Sequence, residues 1–160
     1  MQVDPHIIAL LQESLNMEAS LALRYFAYQL DASRFGLSIA DGLGKLGDQC
    51  EVYEKELAGR ILFLESTPTI APSPAQPADS LTEMLESLRQ AETAAIVRYA
   101  EMTVAFWDLK DMPNFHYFQH LSKWHAMGDD GKQGHMSWIQ KQQWQLQRVG
   151  GEAQYIAEKI

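Results

Sequence analysis

The chain has 160 residues, 46% of them hydrophobic, and a formal charge of -8 at pH 7. That length fits one domain over residues 1–160 with a sizeable core, and the acidic balance excludes nucleic acid as a partner, because a phosphate footprint needs clustered Lys and Arg. The one cysteine, Cys50, cannot close an internal disulfide, the N-terminus lacks a basic start followed by an apolar stretch, and no membrane-spanning apolar run occurs, so a cytoplasmic protein off the membrane is expected.

From Asp4 to about Phe35, apolar residues recur at three and four (Ile8, Leu11, Leu15, Ala19, Ala22, Phe26), which predicts a long amphipathic helix with Asp4 as N-cap, Pro5 at its first position and Gly36 at its end. A second helix is predicted from about Ser38 to Glu65, softest in its first half, where Gly42, Gly44 and Gly47 each cost roughly 1 kcal/mol against Ala. Four prolines, Pro68, Pro72, Pro74 and Pro77, then make residues 67–79 an extended crossover of the kind that joins two helical hairpins. Ser80 with Glu83 opens a third helix through a capping box, running to about Leu109. Asp111 and Pro113 turn the chain into a fourth, ending near Val149, with Gly128, Gly131 and Gly134 inside it predicting a kink or local bulge. Gly150 and Gly151 stop that helix, and EAQYIAEKI reads as a short fifth. The fold class is therefore all-α, an antiparallel four-helix bundle with a long crossover and a short C-terminal helix.

Several segments carry a resemblance in this order: NMEASLALRYF and FGL in helix one, RILFLESTP closing helix two, EML opening helix three, GHMSW in helix four and QYI in the fifth. With these pieces the chain resembles bacterioferritin from about Ile7 to its C-terminus, a ferritin-like family. That resemblance implies a six-ligand di-iron centre, with one Glu from each of two helices and a Glu-x-x-His pair from each of the others. Carried over, the single glutamates fall on Glu18 and Glu101, and both are present. The helix-two pair falls on Cys50 and Tyr53, and the helix-four pair on Lys132 and His135. Glu18, Glu101 and His135 are thus the expected metal-ligating residues of a partial or vestigial iron site. The family's haem is held by a methionine from each of two subunits; that position falls at Glu51, and no methionine lies between Met17 and Met84, so no haem is expected.

Glu18 and Glu101 need partners if buried, and either a metal or the Lys132 ammonium could compensate them. His135 reads as a ligand or as a hydrogen-bonded core histidine. Cys50 and Tyr53 fill core volume or, for the thiol, bind metal; Glu51 and Glu54 lie on a solvated face or turn inward; His125, Asp129 and Lys132 share a stripe that makes a side-chain network or a second metal site. Trp107, Trp124, Trp138 and Trp144 read as core and interface anchors.

The leading expectation is a bacterioferritin-like iron-storage subunit with a degraded ferroxidase centre, a structural or mineral-nucleating member of a cage. The rivals are a di-metal oxidase with rearranged ligands and a dimeric ferritin-like binding protein that stores nothing. The resemblance also implies a homodimer as building unit, a cage of about two dozen chains, and room for a catalytic sister subunit.

Overall fold

The computed structural model describes residues 3–34, 38–129, 132–153 and 155. Five helices follow in order, α1 (Pro5–Arg34), α2 (Ile39–Phe63), α3 (Leu81–Asp108), α4 (Met112–Ala126) and α5 (His135–Arg148), with no strand among the described residues. Arg24 reaches Ser87 while Glu13 pairs with Arg98, so α1 and α3 run antiparallel. Along α2, Arg60 meets Asn114 of α4 while Gly42 meets Trp138 of α5, so the two short helices share one arm, antiparallel to α2. The result is a four-helix bundle with a long crossover. Leu11, Leu15, Leu57, Ile61, Leu85, Leu88, Phe106, Phe118, Leu121 and Ile139 fill its core. No described helix is long and apolar enough to cross a membrane.

The helix ends follow from local sequence. The Asp4 carboxylate accepts from the His6 amide ahead of Pro5, and Ser80 accepts from the Glu83 amide while the Glu83 carboxylate accepts from the Asp79 amide. Asp111 caps α4 by accepting from the Asn114 amide. At the C-termini of α2 and α3 the chain turns through left-handed residues that are not glycine, Glu65 (φ 59) and Lys110 (φ 57). The Ser66 and Asp111 amides then reach back to the carbonyls of Ile61 and Phe106, the six-to-one bond of a Schellman turn. Gly150 ends α5 in the same way.

The crossover is tied to α1 rather than free. Gln12 takes both backbone groups of Thr69, Asn16 accepts from the Ala71 amide, Ser20 accepts from the Ser73 amide, and Tyr28 donates to the Gln76 carbonyl. Glycines early in α2 mark close approach: a Cβ at Gly42 would collide with the Trp138 ring.

The fourth arm departs from the single kinked helix that the sequence predicts. It breaks completely between Ala126 and His135. The Gly134 amide returns to the Met127 carbonyl at 3.0 Å and the Ser137 hydroxyl to the Ala126 carbonyl at 3.0 Å, closing the excursion into a neck. Gly128 sits in that neck at φ +84, and a Cβ there would strike the Lys132 carbonyl. The predicted fifth helix begins at Glu152, whose carboxylate caps α3 by accepting from the Leu81 amide at 2.9 Å and the Thr82 hydroxyl at 2.7 Å. Residues 154 and 156–160, like Gly36 and Gly131, lie outside the described residues.

Candidate metal centre

Four fully buried polar side chains meet in the bundle interior: Glu18 from α1, Glu92 from α3, His125 from the last turn of α4 and His135 from the first turn of α5. The close contact of Met127 with Gly134 brings the two histidines together, with ring centroids 4.6 Å apart and ring planes at 68°. His125 stands between the carboxylates, its Nε2 2.6 Å from Glu18 Oε1 and its Nδ1 2.7 Å from Glu92 Oε2. Both ring nitrogens face acceptor-only carboxylates, so both donate and the ring is an imidazolium. His135 Nδ1 lies 2.7 Å from Glu92 Oε1.

Tyrosines complete the shell. Tyr25 donates to Glu92 Oε1 at 2.6 Å and Tyr99 to Glu18 Oε1 at 2.7 Å. Burial alone would raise the Glu92 carboxyl and lower the His125 imidazole. The facing charges outweigh it, holding Glu92 well below the usual carboxylate range and His125 well above the usual histidine value. Burial, reinforced by the carboxylates, pushes the Tyr25 and Tyr99 hydroxyls and the Cys50 thiol well up, so all three stay protonated. Two atoms of the cluster have no hydrogen-bond partner although buried, Glu18 Oε2 and His135 Nε2.

Of the three expected ligands, the structure brings Glu18 and His135 to this centre and places Glu101 elsewhere. Glu101 is exposed and ion-pairs with Arg98 at 3.0 Å. The inward stripe of α3 is Leu81, Leu85, Leu88, Glu92, Ala95, Tyr99, Met102 and Phe106, and Glu101 belongs to the opposite face beside exposed Val97 and Val104. Apolar but outward valines made that face look buried in the sequence; the spacing of four and three from Leu81 leads to Glu92 instead. Lys132 is exposed in the excursion, so it is not the cation that compensates Glu18. His125 takes that place. Its helical stripe with Asp129 and Lys132 ends with α4, and Asp129 pairs with Lys123 at 3.1 Å instead.

Cys50 and Tyr53 lie inside as expected, at 0% and 2% exposure, facing the cluster from α2. The Tyr53 ring is 6.0 Å from the His125 ring and 6.3 Å from the exposed His120 ring. Glu51 is exposed and Glu54 half-buried. The residues present do not fit a di-iron pair: α2 supplies a thiol and a phenol where a bridging carboxylate and an imidazole are required, and an imidazolium stands between the two remaining carboxylates. A single ion is another matter, since one donor atom from each of Glu92, His125 and His135 lies within 4.8 Å of the others.

No protein-family model matches the sequence, and no curated protein matches it either. Solved structures do. The bacterioferritin of Rhodobacter capsulatus, in a structure with a metal-free dinuclear site and a haem iron in a crystallographic special position, is similar at a TM-score of 0.90 and 20% identity, over 99% of this chain and 96% of that one. Mycobacterium tuberculosis bacterioferritin BfrA is similar at a TM-score of 0.89 and 20% identity, over 100% of this chain and 97% of that one. The chain therefore has the bacterioferritin fold, with Glu18, Glu92, His125 and His135 at its centre.

Proposed function

We propose that the chain is a subunit of an iron-storage shell whose central site does not carry out paired-iron oxidation, and that it serves the shell as a structural or mineral-nucleating member. The fold supports the storage reading. The single observation that carries the rest is the His125 imidazolium held between Glu18 and Glu92, which puts protein where the paired irons of a ferroxidase centre would need open carboxylates. The competing reading, an oxidase with rearranged ligands, draws on the two unpartnered buried atoms of Glu18 and His135, and its ligands would be Glu18, Glu92, His125 and His135. Stopped-flow Fe(II) oxidation decides between them, with a rebuilt variant as the positive control: Cys50→Glu, Tyr53→His and His125→Glu together recreate four carboxylates and two imidazoles. The unmodified chain should be inactive on the time scale of the rebuilt one. Comparable turnover by the unmodified chain would overturn the proposal.

The same reading gives a homodimer as the building unit of a cage of about two dozen chains, in the cytoplasm, open to a catalytic sister subunit. An apolar outer face on α1 (Leu23, Phe26, Leu30) supports burial against another copy. Haem of bis-methionine ligation is not part of the proposal, because the aligned position, Glu51, is an exposed carboxylate. Light scattering that finds only dimers, or a stoichiometric bis-methionine haem spectrum after reconstitution, would count against these two parts respectively.

A further inference from the structure

We infer that the Glu92–His125–His135 cluster is a mononuclear site for a divalent transition-metal ion, with Glu18 as the second negative charge that balances it; this rests on the reading above that the centre is not a paired-iron site. Two imidazoles and a carboxylate form a donor set for zinc or ferrous iron, whereas magnesium and calcium call for oxygen alone. All three side chains are fully buried and their donor atoms already converge.

The unpartnered atoms point to the same conclusion. His135 holds Nδ1 against Glu92, where the donor atoms converge, and its Nε2 has no protein partner although the ring is fully buried. Glu18 Oε2 has no hydrogen bond of ordinary geometry either, with the weakly donating Cys50 thiol beside that carboxylate. A buried polar atom left unsatisfied is costly, and a cation among these side chains would offset that cost. The Tyr25 and Tyr99 hydroxyls fix the two carboxylates, so the donors are held by packing on four helices rather than by a loop.

Charge sets the number of ions at one. Binding displaces a proton from the His125 imidazolium to solvent, and the nitrogen that loses it exchanges its carboxylate contact for the ion; with both imidazoles then neutral, the centre offers two negative charges, Glu18 and Glu92, against the two positive charges of one ion. A second ion would leave two uncompensated positive charges among buried side chains, and α2 has no fully buried carboxylate to offset them: Cys50 and Tyr53 occupy its buried face, Glu51 is exposed and Glu54 is only half-buried. The sites of bacterioferritin type are dinuclear; the substitutions on α2 turn this one into a single-ion site.

The test uses the whole protein, freed of metal by a chelator and then titrated with Co(II), whose visible d–d bands report imidazole and carboxylate ligation. One cobalt per chain after desalting, displaced by one equivalent of Zn(II), is expected. X-ray absorption of the cobalt form should show imidazole scattering and no metal–metal distance near the ~3.5–4 Å of paired sites. His135→Ala and Glu92→Gln should each weaken binding by about tenfold or more, while Glu101→Gln and Lys132→Ala leave it unchanged. A stoichiometry of two or of none, a metal–metal vector, or equal affinity in His135→Ala would overturn the inference. The X-ray and stoichiometry results need no variant, so a variant that fails to fold does not shelter the idea. Failure of the storage reading looks different: one cobalt per chain in a protein that assembles no shell and holds no mineral.

Discussion

Removing the His125 side chain should reveal how the centre is held together without metal. Substitution by Leu keeps most of the volume and deletes both short contacts, at 2.6 Å to Glu18 and 2.7 Å to Glu92. Glu92 keeps Tyr25 and His135 on its other oxygen, and Glu18 keeps Tyr99. Breaking a buried ion pair from one side costs about 3–5 kcal/mol because the surviving charge is stranded; with those remaining partners, the expected loss lies near the bottom of that range, about 3 kcal/mol. That is a large part of the ~5–15 kcal/mol that holds a typical domain folded. The assay is urea unfolding of chelator-treated protein at a fixed chain concentration, followed by tryptophan fluorescence, since assembly makes apparent stability concentration-dependent. Adding Glu18→Gln to His125→Leu should recover about 1–2 kcal/mol by replacing one stranded anion with a neutral amide. Lys132→Ala, at an exposed position, should change stability by no more than about 0.5 kcal/mol. If Lys132→Ala costs more than His125→Leu, or His125→Leu costs under about 1 kcal/mol, the reasoning that places the internal cation at His125 fails.

The same pair predicts a pH window. His125 is raised in the folded protein, so its contribution is complete below an unfolded pKa of about 6.5 and is lost as pH rises through the raised value. Glu92 is depressed, so its contribution is complete above about 4.3 and is lost as pH falls toward the depressed value; the stability gap between wild type and His125→Leu should therefore peak between about pH 4.5 and 6.5. Glu65→Gly and Lys110→Gly should each stabilise by up to about 1 kcal/mol, because the left-handed conformation that costs a side chain is free for glycine; thermal denaturation showing a loss would indicate side-chain contacts that outweigh the strain. Gly128→Ala should destabilise by about 2 kcal/mol or more through strain at positive φ and the clash with Lys132, and should lower cobalt uptake because the neck positions both histidines; unchanged uptake would separate the neck from the site. Glu152→Gln should cost about 1 kcal/mol by weakening the cap on α3. That cost should be full at neutral pH and fade as pH falls through the lowered Glu152 pKa, which a denaturation series at several pH values would check.

The helices were legible in the sequence because each of their signals is local. Asp4–Pro5, the Ser80 capping box, Asp111 and the paired glycines at 150 and 151 all act within a few residues of themselves. Cys50 and Tyr53 are legible as interior residues through the resemblance, which aligns them with inward-facing positions of α2. The centre was half legible. Glu18 and His135 lie on regular stripes, but Glu92 is recovered only by counting α3 from Leu81 and disregarding the valines near Glu101. His125 was visible as a histidine on a stripe and invisible as the partner of His135. Ten residues apart on a continuous helix they would lie roughly 15 Å apart along the axis; they meet because the helix breaks between Ala126 and His135 and the backbones of Gly128 and Gly134 close against each other.

The strap of crossover against α1 works as a matched pair of rulers. Its three anchors advance four residues along the helix, Gln12 to Asn16 to Ser20, for every two along the strap, Thr69 to Ala71 to Ser73. Four helical residues rise about 6.0 Å, and two residues of extended proline-rich chain rise about 6.2 Å. The two scales stay in step for the length of the contact. The amides that α1 needs are all odd-numbered, and the prolines within reach, Pro68, Pro72 and Pro74, are all even-numbered, so the ring that removes an N–H never falls on a tick mark. One residue inserted between Thr69 and Pro72 would carry Pro72 onto the third anchor and remove the amide that Ser20 needs, whereas one inserted after Pro77 would leave the three anchors unmoved.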